Sequence, residues 1–144
     1  MVDGKPRTLF VHRKGATRAW GPNHPGLPPW LRGVGQPMLV GGSMGTASYV
    51  LAGTDASQDR SFGSSCHGAG RSLSRAQAVK RFKGRNVLDS LTAQGVLIRA
   101  HGLKGVSEEA PGAYKDIDSV VDSAVGAGLA SKVARLRPLA CVKG

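Results

Sequence analysis

Ser64 to Arg75 reads Ser-Ser-Cys-His-Gly-Ala-Gly-Arg-Ser-Leu-Ser-Arg, and the reading of the whole chain turns on it. The stretch sets His67 among residues small enough for a bulky ligand to reach the backbone, directly ahead of a segment that reads as a helix start. Ser74 followed three residues on by Gln77 fits a capping box, and Leu73, Ala76, Val79 and Phe82 recur at three-residue spacing, so a short amphipathic helix is expected, ended by Gly84. A helix start offers unpaired N–H groups and partial positive charge, and Gly68 and Gly70 leave room for an anion to approach. Arg71 and Arg75 are four apart, so a helix that begins early enough would carry both guanidiniums on one face. Histidine, glycine backbone and arginines then converge on phosphate. The plainer alternative is a histidine hydrogen-bonded inside a Gly-rich turn with its arginines in solvent.

Outward from this stretch, 144 residues with 40% hydrophobic content suit one folded unit spanning residues 1–144. With 20 Lys and Arg against 9 Asp and Glu, the formal charge is +11, which favours a polyanionic partner, nucleic acid first. Cys66 and Cys141 are far apart and lack metal-type spacing, which points to a reducing compartment rather than a disulfide framework. The first fourteen residues have no apolar run of signal-peptide length, and no later segment approaches a membrane span, so a cytoplasmic protein with no membrane partner is expected.

Along the chain, Arg7 to Arg13 reads as a strand, and Thr17 to Pro37 as an irregular loop anchored by Trp20 and Trp30. Met38 to Val40 and Tyr49 to Ala52 read as strands flanking a Gly-rich loop whose N–H groups, with the Ser43 and Ser48 hydroxyls, either hold a phosphate or close a tight hairpin. Thr54 to Arg60 reads as a polar surface connection. Lys80, Arg81, Lys83 and Arg85 form a basic cluster, a solvated face or a continuation of a phosphate track. Asn86 is expected to cap a helix through Ala93 that Gly95 stops, followed by a buried strand, Val96 to Ala100, and a loop, His101 to Gly105. Glu108 and Glu109 read as a helix start or surface pair rather than an acid–base pair. Asp118 is expected to cap a helix with Val120, Val121, Ala124 and Val125 inward, and the terminal segment from Lys132 to Gly144 reads as β limited to an edge or a bulge by Pro138.

Taken together, four blocks resemble the C-terminal portion of the RtcB family of RNA ligases: GGSMGTASYVLAGT (Gly41 to Thr54), FGSSCHGAGR with the following Ser74-Arg75, EEAPGAYKDID (Glu108 to Asp118) and the terminal KVARLRPLACVKG. HRKGATRA (His12 to Ala19) and VGQP (Val34 to Pro37) agree. The resemblance implies an α+β fold, a mixed short-stranded sheet with flanking helices. It also implies GTP- and manganese-dependent joining of RNA 3′-phosphate or 2′,3′-cyclic phosphate ends to 5′-hydroxyl ends, as in tRNA splicing or RNA repair. By it His67 is the nucleophile that carries GMP. Guanylate contacts fall at Gly41, Gly42, Ser43, Met44, Ser48, Gly68, Ala69, Gly70, Tyr114 and Lys143, the last two facing the base, and RNA phosphate contacts at Arg71 and Arg75. An imidazole nitrogen can attack phosphorus, and the resulting phosphoramidate is labile enough to pass its group on. An archease-type activator is the family's accompanying partner.

Two departures from the family pattern carry expectations. Gly41 stands where the family loop has proline, which loosens the loop but leaves its donors. The family's manganese ligands, an aspartate, a cysteine and several histidines, fall in the part that would precede Met1, and His12, His24 and His101 do not replace them. The 144 residues alone are therefore expected not to ligate RNA, the alternative being a non-catalytic remnant that binds guanine nucleotide or RNA. Apolar surface left uncovered around residues 1–37 is expected to mark a missing neighbouring lobe.

Overall fold

A computed structural model describes residues 4–143. The fold is α+β: short helices surround three small sheets rather than one continuous sheet. β1 (Ala16–Arg18) is followed by a turn-rich segment with a single 3-10 turn at Pro29–Leu31. β2 (Pro37–Val40) and β3 (Ser48–Gly53) form the expected antiparallel hairpin, Val40 opposite Tyr49, with the Gly-rich loop at its tip. The side chains of β2 alternate, Met38 and Val40 buried and Leu39 exposed, as a half-buried strand requires.

Next comes α1 (Ala56–Ser61), where the polar run Thr54 to Arg60 was expected to be a surface connection. No hydrophobic period announces this helix. It is held by tertiary bonds: the Ser57 hydroxyl, fully buried, donates to Ala19 O, and the Asp55 carboxylate accepts from the backbone and side chain of Asn23 at 3.1 and 2.6 Å. The helix stops at Phe62 and Gly63, both left-handed (φ 52° and 61°), which turns the chain into β4 (Ser64–Cys66). β4 pairs antiparallel with β1, Ala16 opposite Cys66, so the N-terminal segment lies directly against the histidine stretch.

α2 (Arg75–Arg81) begins where the capping box placed it: the Ser74 hydroxyl accepts from Gln77 N at 3.2 Å, and Gln77 Oε1 accepts from Ser74 N at 2.9 Å. Ser74→Ala is expected to destabilise the protein by about 1 kcal/mol, read as a fall of a few degrees in Tm. Gly84 does not end this helix. It opens α3 (Gly84–Ala93), two residues before the expected Asn86 cap, and glycine is required there because a Cβ would come within 2.1 Å of Leu103 O.

β5 (Leu97–Ala100) is less buried than its apolar run suggests: Ile98 is buried, but Leu97 is 55% exposed. Among the described residues it pairs with β7 alone, and three of its four residues are exposed. The loop expected over His101 to Gly105 is cut short, since α4 (Leu103–Glu108) begins at Leu103, and the glutamate pair sits at that helix's end, not at a helix start. α5 (Ile117–Gly126) is capped by Asp116, whose carboxylate accepts from Ser119 N at 2.8 Å, and not by Asp118. Asp118 instead accepts from the Tyr49 hydroxyl and from Arg135, tying α5 to the sheet. Ile117, Val121 and Ala124 face inward.

β6 (Ala130–Leu136) completes the order β2-β3-β6 as an edge strand, and β7 (Ala140–Lys143) runs parallel to β5, the break falling at Pro138. Two apolar clusters result. Met38, Val40, Tyr49, Leu51, Ile117 and Val121 fill one, and Met44, Leu91, Val96, Ile98 and Val106 the other.

No strand forms over Arg7 to Arg13: the segment is exposed throughout, and among the described residues no strand pairs with it. Phe10 (87% exposed), Trp30 (76%) and Val34 (60%) show apolar surface to solvent in the region where it was expected. Of the two tryptophans only Trp20 anchors its loop, stacked on His24 at 3.9 Å between ring centroids with Arg18 3.9 Å above its ring.

Candidate functional site

The Gly-rich hairpin tip and the histidine stretch meet backbone to backbone. Gly41 and Gly68 form a parallel bridge in which Ala69 N donates to Gly41 O at 3.0 Å and Gly41 N to His67 O at 3.5 Å. Gly68 is needed there: a Cβ at that position would lie 3.1 Å from Gly41 O, tighter than ordinary contact. Gly42 is required more strongly, since its Cβ would sit 2.1 Å from Ala47 O inside the tip. His67 itself is exposed, while Ala69 beside it is buried in the first apolar cluster. The ring is thus presented to solvent on a loop whose other side is anchored in the core.

The tip does not present all its N–H groups outward. Gly42 N donates to Ser48 Oγ at 3.3 Å and Ser43 N to Thr46 Oγ1 at 2.7 Å, so those two donors shape the loop. Met44 is 2% exposed, packed in the second cluster, so it does not face solvent at the tip. Open space lies where a Cβ would stand at Gly41 and at Gly70, the latter with a left-handed φ of 73°.

Beyond Gly70 the chain zips onto the segment carrying Tyr114. Lys115 N donates to Gly70 O at 3.0 Å, and Arg71 pairs with Tyr114 in an antiparallel bridge. There Tyr114 and Lys143, expected from separate blocks of the sequence, converge on Glu109. The Tyr114 hydroxyl donates to Glu109 Oε2, and Lys143 Nζ lies 3.8 Å from the same oxygen. Arg71 spends its guanidinium inside this cluster: Nη1 reaches Tyr114 Oη at 2.9 Å and Glu109 Oε1 at 3.3 Å, Nε reaches Leu73 O at 2.9 Å, and Nη2 donates to Glu108 O. Arg75 is different. Its side chain is 68% exposed, and its carboxylate contacts, to Glu108 and Glu109, are 3.9 and 3.8 Å long. The two arginines do not share a helix face, since α2 begins only at Arg75.

Glu109 is the member of this cluster that sequence reasoning set aside. Its neighbour Glu108 made the pair look like a surface feature, and the signal that could have found it is its place five residues before Tyr114 in the EEAPGAY block. Burial works to raise its pKa, but the Tyr114 hydrogen bond and the charges of Lys143, Arg71 and Arg75 outweigh burial and hold the carboxyl below the usual glutamate value. Burial and then the Glu109 bond push the Tyr114 hydroxyl up. Asp118 is also lowered, by Arg135 and Tyr49.

A carboxylate depressed in the folded state stabilises the fold above its unfolded pKa, and that contribution is lost as pH falls through the folded value. Tm is therefore expected to hold steady from neutral pH to about 5 and to drop below about pH 4. In Glu109→Gln the drop should be shallower, and equal drops in both proteins would show that Glu109 does not supply it.

Among the described residues no group of three His, Cys, Asp or Glu converges as a divalent cation would need, so they do not form a manganese site. No helix among them is long and apolar enough to cross a membrane.

Comparison with known proteins gives this site a family. The chain is 54% identical over 143 residues to the tRNA-splicing ligase RtcB of Pyrococcus furiosus, covering 99% of this chain and 15% of that protein. It is 54% identical to that of Thermococcus kodakarensis, covering 99% of this chain and 30% of that protein, and 52% identical to that of Pyrococcus abyssi, covering 16% of it. The chain thus spans less than a third of the length of these relatives. Residues 1–144 match the family model described as tRNA-splicing ligase RtcB, and the chain belongs to the RtcB family.

Proposed function

We propose that these residues are the guanylate-binding, nucleophile-bearing portion of a GTP- and manganese-dependent ligase that joins RNA 3′-phosphate or 2′,3′-cyclic phosphate ends to 5′-hydroxyl ends, in tRNA splicing or RNA repair. The observation that carries the reading is the exposed His67 on a loop bonded through Ala69 N to Gly41 O of the glycine tip. In this reading an imidazole nitrogen of His67 bonds to the α-phosphorus of GTP as the bond to pyrophosphate breaks. An oxygen of the RNA 3′-phosphate then displaces the histidine. The 5′-hydroxyl oxygen attacks the activated 3′-phosphate, and GMP leaves.

This chain's own residues have separable tasks. Gly41 to Met44, Ser48 and Gly68 to Gly70 receive the nucleotide on small residues and backbone. Tyr114 and Lys143 face the base, oriented by Glu109. Arg75, exposed at the start of α2 with contacts of 3.9 and 3.8 Å to Glu108 and Glu109, grips RNA phosphate, while Arg71 holds the cluster together. Manganese supplies charge neutralisation at phosphorus when bound, through residues outside this chain. A cytoplasmic site of action and an archease-type activator belong to the same reading.

The test is incubation with GTP radiolabelled at the α-phosphate plus manganese, alone and with the portion that precedes the matched segment in the Pyrococcus furiosus relative. Acid-labile label on His67 is expected only with the added portion. Label on the isolated chain would overturn the dependence on outside metal ligands. No label in either case would favour a remnant that binds nucleotide or RNA without chemistry.

A further inference from the structure

A cavity of about 450 Å³ opens on the far side of the glycine tip, between that tip, the junction of α2 and α3, and the 3-10 turn at Pro111–Ala113. Its volume is within the roughly 300–1,000 Å³ of small-molecule sites. We propose that this cavity receives one nucleotide of a single-stranded RNA, its base stacked on Phe82 and its phosphate held by Arg81 and Lys83.

Three features of the lining point to that chemistry. Phe82 is half-buried at the junction of the two helices, and its ring can reach the mouth because position 112 is glycine: a Cβ there would lie 2.6 Å from Phe82 Cζ. An aromatic face beside a cavity is the sequence-tolerant platform that single-stranded nucleic acid uses. The cations are uncommitted: among the described residues neither Arg81 nor Lys83 has a carboxylate within 4.0 Å, and no carboxylate lines the cavity. Arg81 lies 5.6 Å from the Phe82 ring centroid, so cation and stacking face are offered together. Polar groups for base edges follow along α3 and just past its end, where Asn86, Ser90 and Gln94 line the wall with the apolar Val87 and Leu91, Gln94 Nε2 donating to Ser90 Oγ at 3.2 Å.

An apolar peptide would leave Arg81 and Lys83 unpaired, and an acidic peptide would leave Phe82 and the amides of Asn86 and Gln94 unused. A nucleotide uses all of them. Position also fits. Gly45 and Thr46 of the wall belong to the same tip that meets His67, and Thr46 Oγ1 takes the Ser43 N–H at 2.7 Å. α2 carries Arg75 at its first turn and Arg81 at its last, about 9 Å apart along the axis, so the helix that offers Arg75 to RNA phosphate also reaches the cavity.

The proposal rests on RNA being the substrate, and its test is read separately from guanylylation. Binding of a fluorescent uridine hexamer to the chain is measured for the native protein and for Phe82→Leu, Phe82→Trp and Lys83→Gln, and a hexamer carrying 4-thiouridine is crosslinked and mapped. Phe82→Leu is expected to weaken binding about tenfold, Phe82→Trp to retain it, and Lys83→Gln to reduce the salt slope by about 0.7. Crosslinks are expected within residues 81–91. Unchanged affinity in Phe82→Leu at an unchanged Tm, or crosslinks confined elsewhere, overturns the proposal. Competition by uridine monophosphate as strong as by the hexamer also overturns it, in favour of a free mononucleotide. Label on His67, assayed in parallel with the added portion, judges the ligase reading alone. A labelled protein whose Phe82→Leu variant binds RNA normally refutes only the cavity, and an unlabelled protein with the expected binding losses refutes only the ligase.

Discussion

His67→Ala is expected to remove the acid-labile guanylate label to background, a fall of about 10³-fold or more by comparison with nucleophile loss in other covalent enzymes. Its stability should stay within about 0.5 kcal/mol of the native protein, as for ordinary surface substitutions. Both expectations have structural grounds. The ring is exposed, and no side-chain hydrogen bond ties it to other described residues, while the loop is held by Ala69, by the Gly41 bridge and by β4. Cys66→Ala, next in sequence and partly packed against the first cluster, serves as the control that keeps its label. Label that survives in His67→Ala would transfer the nucleophile to another group and end the ligase reading, whatever the RNA affinity.

Arg71→Ala is expected to be the most destabilising of the site substitutions, by about 2–3 kcal/mol, since it leaves a mostly buried carboxylate and a tyrosine hydroxyl short of partners. For a chain of this size that is a fall in Tm of about 6–12 °C. Arg71 joins Leu73 O, Glu108 O, Glu109 and Tyr114 through one guanidinium, and its side chain is only 22% exposed. Arg71→Lys should recover little, because an ammonium cannot reproduce the planar fork that reaches four acceptors. Arg75→Ala, a change at an exposed side chain, should leave Tm almost unmoved and lower RNA affinity with a smaller salt slope. A Tm that falls equally in both variants would contradict the division of labour between the two arginines.

How far these features were legible depended on the range over which each is decided. The capping box at Ser74 and Gln77 and the hairpin Met38 to Val40 with Tyr49 to Ala52 are local, and they stand where the residues place them, whereas the terminal β segment divides into two strands on either side of Pro138. The Thr54 to Arg60 segment was misread because its helix has no apolar stripe and depends on Ser57 reaching Ala19. Arg7 to Arg13 has strand composition but no neighbour to pair with, and β propensity is expressed only against a partner. Asp116 rather than Asp118 became the cap because Asp118 is drawn to Tyr49 and Arg135, residues that no local pattern brings near.

The site divides in the same way. His67, the glycines around it, Tyr114 and Lys143 were named from residue type and from motifs in a recurring order, information that a linear chain carries in full. That Tyr114, Lys143 and Arg71 meet on Glu109, that Gly42 and Ser43 spend their N–H groups on the loop, and that Phe82 stands at the mouth of a cavity were settled only by folding. The physical reason is one of range. Capping, turn and alternation preferences act within a few residues. The partner of a buried charge is whichever group the packed backbone brings within about 4 Å, and that is decided by the whole chain at once.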